Sequence, residues 1–229
     1  THILTASRSG TARIWDATTG DNTLTLTRAH KDRITSVAWS PDGTHILTAS
    51  RSGTARIWDA TTGDNTLTLT LTDWVTSVAW SPDATHILTA SMDGTARIWD
   101  TTTGDNTLTL THADKDRLTS VAWSPDGTHI LTASRSGTAR IWDATTGDNT
   151  LTLTRVRWVT SAAWSPDATH ILTASMDGTA RIWDTTTGDN TLTLTRAHKD
   201  RITSVAWSPD GTHILTASRS GTARIWDAT

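Results

Sequence analysis

Serine, histidine and aspartate, the side chains used in hydrolytic catalysis, are abundant in the chain, but they recur at equivalent places of a repeated module. A catalytic nucleophile depends on one base and one orienting acid placed beside it. Residues that recur in every copy provide no unique combination of this kind. The sequence also has no glycine-rich motif that would cradle a phosphate. We therefore predict that the chain is not an enzyme.

A metal site is the next chemistry to consider, because five histidines share one position of the module. These are His45, His86, His129, His170 and His213. Copies in separate modules are expected to lie too far apart to share an ion, and no second ligand stands beside any of them. The loop at 59–65 brings two aspartates near a glycine but lacks the alternating ligands of a calcium loop. Cysteine is absent. We predict no metal and no cofactor, and we interpret the histidines as structural.

The element that carries these residues is the 16-residue stretch at 44–59, which recurs six times, whole or nearly so. Each copy closes on a Trp-Asp pair, and successive tryptophans of these pairs are 43, 41, 43, 41 and 43 residues apart. They are Trp15, Trp58, Trp99, Trp142, Trp183 and Trp226. A fixed period of this length indicates supersecondary units that must stack on their neighbours to bury their apolar faces.

Each unit is predicted to contain four short β-strands. In the second unit these are residues 34–39, 44–50, 54–58 and 66–70, and the last of them alternates polar and apolar residues strictly. Gly or Pro marks three of the four connections, and no stretch has a helical period. Four antiparallel strands per period are typical of a propeller blade.

Counting strands predicts an all-β fold, a β-propeller of four-stranded antiparallel blades with about 22 strands. Four blades are complete and the two end blades are incomplete, and we treat 1–229 as a single propeller domain. Residues 1–18 and 212–229 are identical, and 22 is not a multiple of four. Because exposed strand edges invite pairing with other chains, we favour a window of a longer tandem array over closure with a partner or a displaced hairpin.

The Trp-Asp endings, the Ser-Pro-Asp-Gly turns and the Ser-x-Asp-Gly turn at 91–94 resemble the WD-repeat β-propeller family over essentially the whole chain. The resemblance implies strands named a to d from the axis outward in each blade. It also implies a buried hydrogen-bonded set in each blade. The set comprises a His in the d-to-a loop, a Ser or Thr on strand b, the Trp on strand c and an Asp in the b-to-c turn.

Carried over residue by residue, this set is incomplete in every complete blade. His30, Thr48 and Trp58 fit it, but the turn residue is Ser52. The next blade has Asp93 at the turn, with Leu71 at the His position. The same alternation places Asp114 and Arg155 at the His position of the following blades, and His198 returns in the last. Because a half-satisfied polar network can cost stability, we expect less rigid blades. The structural residues taken from the set are Trp58, Trp99, Trp142, Trp183, Trp226, Asp93 and Asp177.

Differences between copies concentrate in the d-to-a loops and the b-to-c turns, which an antiparallel blade brings to one face. This face leans basic with some Asp interspersed, whereas the nearly constant opposite face carries mainly Asp. In the resembled family the variable face commonly binds partners. The candidate partner-binding residues are Arg28, His30, Lys31, Arg33, Asp73, Trp74, His112, Lys115, Arg117, Arg155, Arg157, Trp158, Arg196, His198, Lys199 and Arg201.

Two interpretations of this face remain open. Its charges could simply be solvated loop residues that keep the chain soluble. Alternatively, it recognises a protein or an acidic peptide, with Trp74 and Trp158 as aromatic anchors. For the two tryptophans we favour packing at the entrance of strand a. Nucleic acid is disfavoured as a partner because the arginines stand beside aspartates. The sequence contains no apolar run long enough to span a membrane, so we predict no membrane partner.

The sequence therefore favours a non-enzymatic binding or scaffold propeller that presents a variable, basic-leaning loop face to protein partners. The alternative is an engineered or idealised repeat protein without a natural ligand, notable for ring closure and self-association. Near-identical units favour the alternative, whereas loop divergence favours binding. Self-association through unclosed strands or through stacking of oppositely charged faces is expected in either case.

Overall fold

A computed structural model describes residues 2–112, 116–154, 157–195 and 197–228. Within these ranges the regular secondary structure is entirely β. The strands are β1 (His2–Ala6), β2 (Ala12–Asp16), β3 (Asn22–Leu26), β4 (Ile34–Trp39), β5 (His45–Ser50), β6 (Thr54–Asp59), β7 (Asn65–Thr70), β8 (Val75–Trp80), β9 (His86–Ser91), β10 (Thr95–Asp100), β11 (Asn106–Thr111), β12 (Leu118–Trp123), β13 (His129–Ser134), β14 (Ala139–Asp143), β15 (Asn149–Leu153), β16 (Val159–Trp164), β17 (His170–Ser175), β18 (Ala180–Asp184), β19 (Asn190–Leu194), β20 (Ile202–Trp207), β21 (His213–Ser218) and β22 (Ala223–Asp227).

These 22 strands form six antiparallel sheets, each a meander of consecutive strands. Four sheets have four strands, β4–β7, β8–β11, β12–β15 and β16–β19, and the sheets β1–β3 and β20–β22 have three. The predicted fold class is confirmed: the chain is an all-β propeller fold with four full blades and two incomplete ones. We call the sheets blades 1 to 6 in chain order.

The chain divides into two compact units, Thr1–Lys115 and Asp116–Thr229. Blades 1 to 3 belong to the first unit and blades 4 to 6 to the second. Inside each unit the blades pack face to face, and their buried side chains form the apolar core. In the first unit Leu47 of blade 2 shares a cluster with Val75 and Val78 of blade 3, and Ile46 shares another with Ile14 of blade 1.

Strand position within a blade explains the burial pattern. Strand b of blade 2 (β5) lies between two hydrogen-bonded neighbours and under adjacent blades, so that Ile46 and Leu47, on opposite faces, are both fully buried. Strand d (β7) has a free edge, and its threonines stay exposed while Leu69 is buried. Alternating burial therefore marks the outer strand, whereas strand b is buried along almost its whole length, including its polar residues Thr48 and Ser50.

The connections separate into two ends of each blade. At one end of blade 2 the Ala60 N–H donates to the Thr44 carbonyl (2.9 Å), which joins the c-to-d loop to the a-to-b loop. At the opposite end the Leu71 N–H donates to the Gly53 carbonyl (2.7 Å), which joins the d-to-a loop to the b-to-c turn. We call the first the constant end and the second the variable end.

Two glycines of blade 2 give a matched test of how closely the variable end is packed. Gly53 and Gly43 have φ values of 75° and 72°, but a Cβ on Gly53 would lie 2.9 Å from the Leu71 carbonyl oxygen, whereas one on Gly43 has open space. The chain itself has alanine at the position of Gly43 in two other blades, where Ala84 and Ala168 keep φ near 60°.

We expect Gly53→Ala to lower the free energy of unfolding by about 1 to 3 kcal/mol more than Gly43→Ala, because overpacking adds to the cost of a left-handed backbone. Urea denaturation of the two variants measures the difference. Equal losses in the free energy of unfolding would contradict the close packing beside Gly53.

Candidate functional site at the variable end

The variable end is built on d-to-a loops of two lengths, which determine what lies beneath the surface. The loops before β4, β12 and β20 are two residues longer than those before β8 and β16. Where the loop is long, as before β4, it folds a histidine inward. Where it is short, it brings a tryptophan to the point where strand a begins. Along the chain, long loops that bury a histidine therefore alternate with short loops that place a tryptophan at the start of strand a.

In blade 2 the long loop buries His30, which is 3% exposed. Its Nε2 lies 2.7 Å from the Thr48 hydroxyl, which also accepts a hydrogen bond from the Trp58 indole at 2.8 Å. Its Nδ1 lies 2.8 Å from the Thr54 hydroxyl, which Ser52 supports at 2.9 Å. Thr54 and Ser52 thus occupy the place of the missing aspartate. The expected half-satisfied network is wrong for this blade, because both ring nitrogens have partners.

Blade 6 repeats the arrangement with His198, whose Nε2 and Nδ1 lie 2.7 Å from the hydroxyls of Thr216 and Thr222. Burial, followed by the charge of Arg56, lowers the pKa of His30 to about 4. Burial and Arg224 also lower the pKa of His198. At neutral pH both rings are uncharged, and their buried hydrogen bonds support the variable end.

Blade 3 has the aspartate and lacks the histidine. Leu71 occupies the loop, is 8% exposed and joins the apolar cluster. Asp93 accepts hydrogen bonds from Thr72 (2.9 Å) and Thr95 (2.6 Å) and forms a salt bridge with Arg97 at 3.1 Å. Partial burial raises the pKa of Asp93, but the hydrogen bonds from Thr95 and Thr72 and the charge of Arg97 outweigh it and lower the pKa overall.

The strand c arginine has a different partner in blades 2 and 3. In blade 3 Arg97 binds Asp93, whereas in blade 2 Arg56, at the same register position, donates to the Ala29 carbonyl of the long loop at 2.7 Å. Each of these two blades therefore binds its arginine in its own way, although the Arg56 Nε has no hydrogen-bond partner. A histidine with a threonine hydroxyl and an aspartate with an arginine are two self-consistent solutions.

For the loop that leads into blade 4, counting back from strand a predicts Asp114 at the histidine position, and Asp114 lies outside the described residues. The structure buries His112 of the same loop, 2% exposed, and its N–H donates to the Gly94 carbonyl of blade 3 at 3.2 Å. The His30 N–H makes the same contact with Gly10 at 3.4 Å. The loops before β4 and β12 have the same length, yet their buried histidines stand at different positions of the loop, and sequence counting cannot detect this.

The two tryptophans of the short loops lie at the surface. Trp74 is 40% exposed and Trp158 is 47% exposed. The guanidinium carbon of Arg51 lies 4.5 Å from the ring centroid of Trp74, and that of Arg135 lies 5.3 Å from that of Trp158. The expected packing at the entrance of strand a is therefore wrong for both rings. Each is held on the surface by a cation–π contact.

Trp74 is part of an open cleft of about 280 Å³ at the variable end of the first unit. Arg8, Arg33 and Arg51 contribute its positive charge, and Trp74 and Met92 contribute apolar surface. Arg8 is absent from the candidates chosen from the sequence, although it has the same place in its Ser-Arg-Ser-Gly turn as Arg51. Comparing the repeated turns position by position could have identified it.

The structure divides the candidate partner-binding residues into three groups. Those with exposed or half-exposed side chains are Arg28, Lys31, Arg33, Asp73, Trp74, Arg117, Arg157, Trp158, Lys199 and Arg201. The buried ones are His30, His112 and His198, so a partner would not reach their side chains. Lys115, Arg155 and Arg196 lie outside the described residues. Of the structural residues, Trp58, Trp99, Trp142 and Trp183 are buried, Trp226 and Asp93 are partly buried, and Asp177 is exposed.

The carboxylates of the constant end are already engaged in their own turns. Asp42 accepts from the Ser40 hydroxyl (2.5 Å) and the Thr44 N–H (3.0 Å), and these bonds lower the pKa of Asp42 to about 2. Asp59 accepts from the N–H groups of Thr61 and Thr62 at 2.8 Å. Among the described residues no group of three His, Asp or Glu side chains is arranged to hold a metal ion. Nor does this part of the chain contain a helix long and apolar enough to cross a membrane.

Thr48 and Thr89 allow the buried network to be tested in matched positions. Thr48→Val removes the hydroxyl that binds two buried side chains, His30 and Trp58. Thr89→Val removes the hydroxyl that accepts a hydrogen bond from the Trp99 indole at 2.9 Å. Because an unsatisfied buried polar group costs about 1 to 3 kcal/mol, we expect Thr48→Val to be more destabilising by roughly that amount. Urea denaturation measures both variants, and a larger loss for Thr89→Val would contradict the role given to His30.

Comparison with known proteins agrees with this architecture. The family model described as the IFT122 first beta-propeller matches residues 1–229. Among curated proteins, none matches the chain. Propellers of this type are generally non-enzymatic scaffolds for protein interaction. The match extends over the whole sequence, and the strands form the blades that such a fold requires. The chain therefore belongs to the IFT122 first beta-propeller family, one of the WD-repeat β-propellers.

Proposed function

We propose that the chain is a non-enzymatic binding module that presents the variable end of its blades to a protein partner. The observation that carries this proposal is the exposure of Trp74 and Trp158, each stacked against an arginine at that end. Tryptophan and arginine are the residues most enriched at the energetic centres of protein interfaces. The constant end, by comparison, repeats nearly the same turns in every blade.

The charge of the variable end favours an acidic partner. Several of its aspartates already accept hydrogen bonds from the backbone: Asp32 from the Arg33 N–H at 2.6 Å and Asp73 from the Trp74 N–H at 2.7 Å. The guanidinium group of Arg33 lines the cleft beside Trp74. An acidic peptide segment would therefore meet arginines whose charge is only partly balanced by their neighbours.

Charge reversal at the two ends tests the proposal. The variable-end variant combines Lys31→Asp with Arg157→Asp, and the constant-end control combines Asp105→Lys with Asp189→Lys; all four side chains are exposed. With the chain as bait, we expect a captured partner to be lost with the first variant and kept with the control. Quantitative mass spectrometry of cross-linked complexes measures both. Loss with the control, or retention with both, would contradict the proposal.

A second candidate function, self-association, is supported by the apolar face of blade 6. Ile225 is 72% exposed and Leu215 is 42% exposed, although the equivalent Ile57 and Leu47 of blade 2 are 3% and 0% exposed. Together with Trp207 these two side chains line an apolar cavity of about 460 Å³. Exposed apolar surface of this kind favours contact with another apolar surface, and we propose a second copy of the chain as its occupant.

Light scattering across a concentration series tests self-association. We expect the average mass to rise with concentration, and Ile225→Lys to lower it by placing a charge in the apolar contact. Thr186→Lys, an equally charged change on the exposed c-to-d loop of blade 5, should leave the mass curve as it is. A mass of one chain at every concentration would contradict this candidate.

A further inference from the structure

We infer that one chain carries two separate clefts for acidic peptide segments, one in each compact unit, and that each takes an acidic residue with an apolar residue next to it. The inference rests on the proposed function of the variable end and adds the number of sites and the chemistry of the ligand. Because each cleft is assembled within its own unit, the two can be occupied independently.

The first cleft is organised by the short loop before β8. The Met92 N–H donates to the Trp74 carbonyl (3.0 Å) and the Arg51 N–H donates to the Arg33 carbonyl (3.0 Å), so that both b-to-c turns are fastened to the loops beside them. Arg51 is half-buried and lies over the Trp74 ring. The backbone bonds and the stacking hold the guanidinium group in place before a ligand arrives, which lowers the entropy lost on binding.

The second unit repeats this scaffold two modules further along the chain. The Met176 N–H donates to the Trp158 carbonyl (3.1 Å), and the Arg135 N–H donates to the Arg117 carbonyl (3.0 Å). Arg135 lies over the Trp158 ring at 5.3 Å. The same residue types, with the same backbone hydrogen bonds, thus stand beside an exposed indole in each unit, and an arginine lies over the ring in both. We assign this arrangement as the second cleft.

The lining of the first cleft defines the ligand. Guanidinium groups pair with carboxylates through two parallel hydrogen bonds, and Arg33 and Arg51 both line the cleft. The indole of Trp74 and the side chains of Met92 and Ile34 provide apolar surface next to them. A segment that alternates acidic and apolar side chains would pair with the arginines and cover the apolar surface.

The aspartates near the first cleft are bound to other groups, so the positive charge of Arg33 and Arg51 stays available to a ligand. Asp93 is bound to Arg97 at 3.1 Å, and Asp73 and Asp32 each accept from a backbone N–H.

The two clefts differ in ways that allow them to be distinguished. Arg8 lines the first cleft, but the residue two modules after it in the sequence is Met92. Next to the indole, Asp73 of the first unit is replaced by Arg157 in the second, and both side chains are exposed. Arg8 is therefore expected to serve only the first cleft.

The experiment uses the whole chain and a fluorescein-labelled peptide of alternating Asp and Leu, with calorimetry for stoichiometry and anisotropy for affinity. We expect two peptides per chain. Trp74→Ala and Trp158→Ala should each leave one site, and the double variant none; both rings are exposed, so folding should be little affected. Arg8→Met should weaken binding about tenfold in the Trp158→Ala background, as expected for one charged hydrogen bond, and have no effect in the Trp74→Ala background.

A peptide with Asn in place of Asp serves as the control for charge and should not bind. One peptide per chain, a stoichiometry that neither tryptophan variant changes, or equal binding of the Asn peptide would overturn the inference. Each of these results is independent of the charge-reversal test above. If that test still loses its partner with the variable-end variant, the proposed function stands without the two clefts.

Discussion

The structure depends on the double burial of strand b. In blade 2, Ile46 and Leu47 point to opposite faces and both are fully buried, one against blade 1 and the other against blade 3. A single blade cannot supply this environment, so each blade needs neighbours to bury its central strand. The antiparallel meander within each blade directs alternate connections to opposite ends, and face-to-face packing places the same ends of neighbouring blades side by side. The separation into constant and variable ends is a consequence of this arrangement.

Within that constraint, the chain supports its variable end in two ways. A long loop buries His30 against two threonine hydroxyls, and burial keeps the ring uncharged. A short loop places Leu71 in the core and leaves Asp93 to pair with Arg97. Both arrangements leave few polar groups unsatisfied, which is the condition for a buried network to stabilise a fold.

The two supports have different consequences at the surface. The long loop directs its aromatic ring inward, as with His30, whereas the short loop leaves Trp74 exposed beside Arg51. The alternation that satisfies the interior therefore also spaces the exposed tryptophans two modules apart. This relation connects loop length, through packing, to the proposed binding surface.

The strands, the four-stranded blades and the match to a WD-repeat propeller could all be predicted from the sequence, because strand periodicity, turn residues and a repeat near 42 residues are properties of the local chain. Which residue turns inward from a loop could not. His112 of the loop before β12 is buried, Thr54 replaces an aspartate as the partner of His30, and Trp74 stays exposed. These outcomes depend on contacts between residues about 20 positions apart, and only the packed structure brings such residues together.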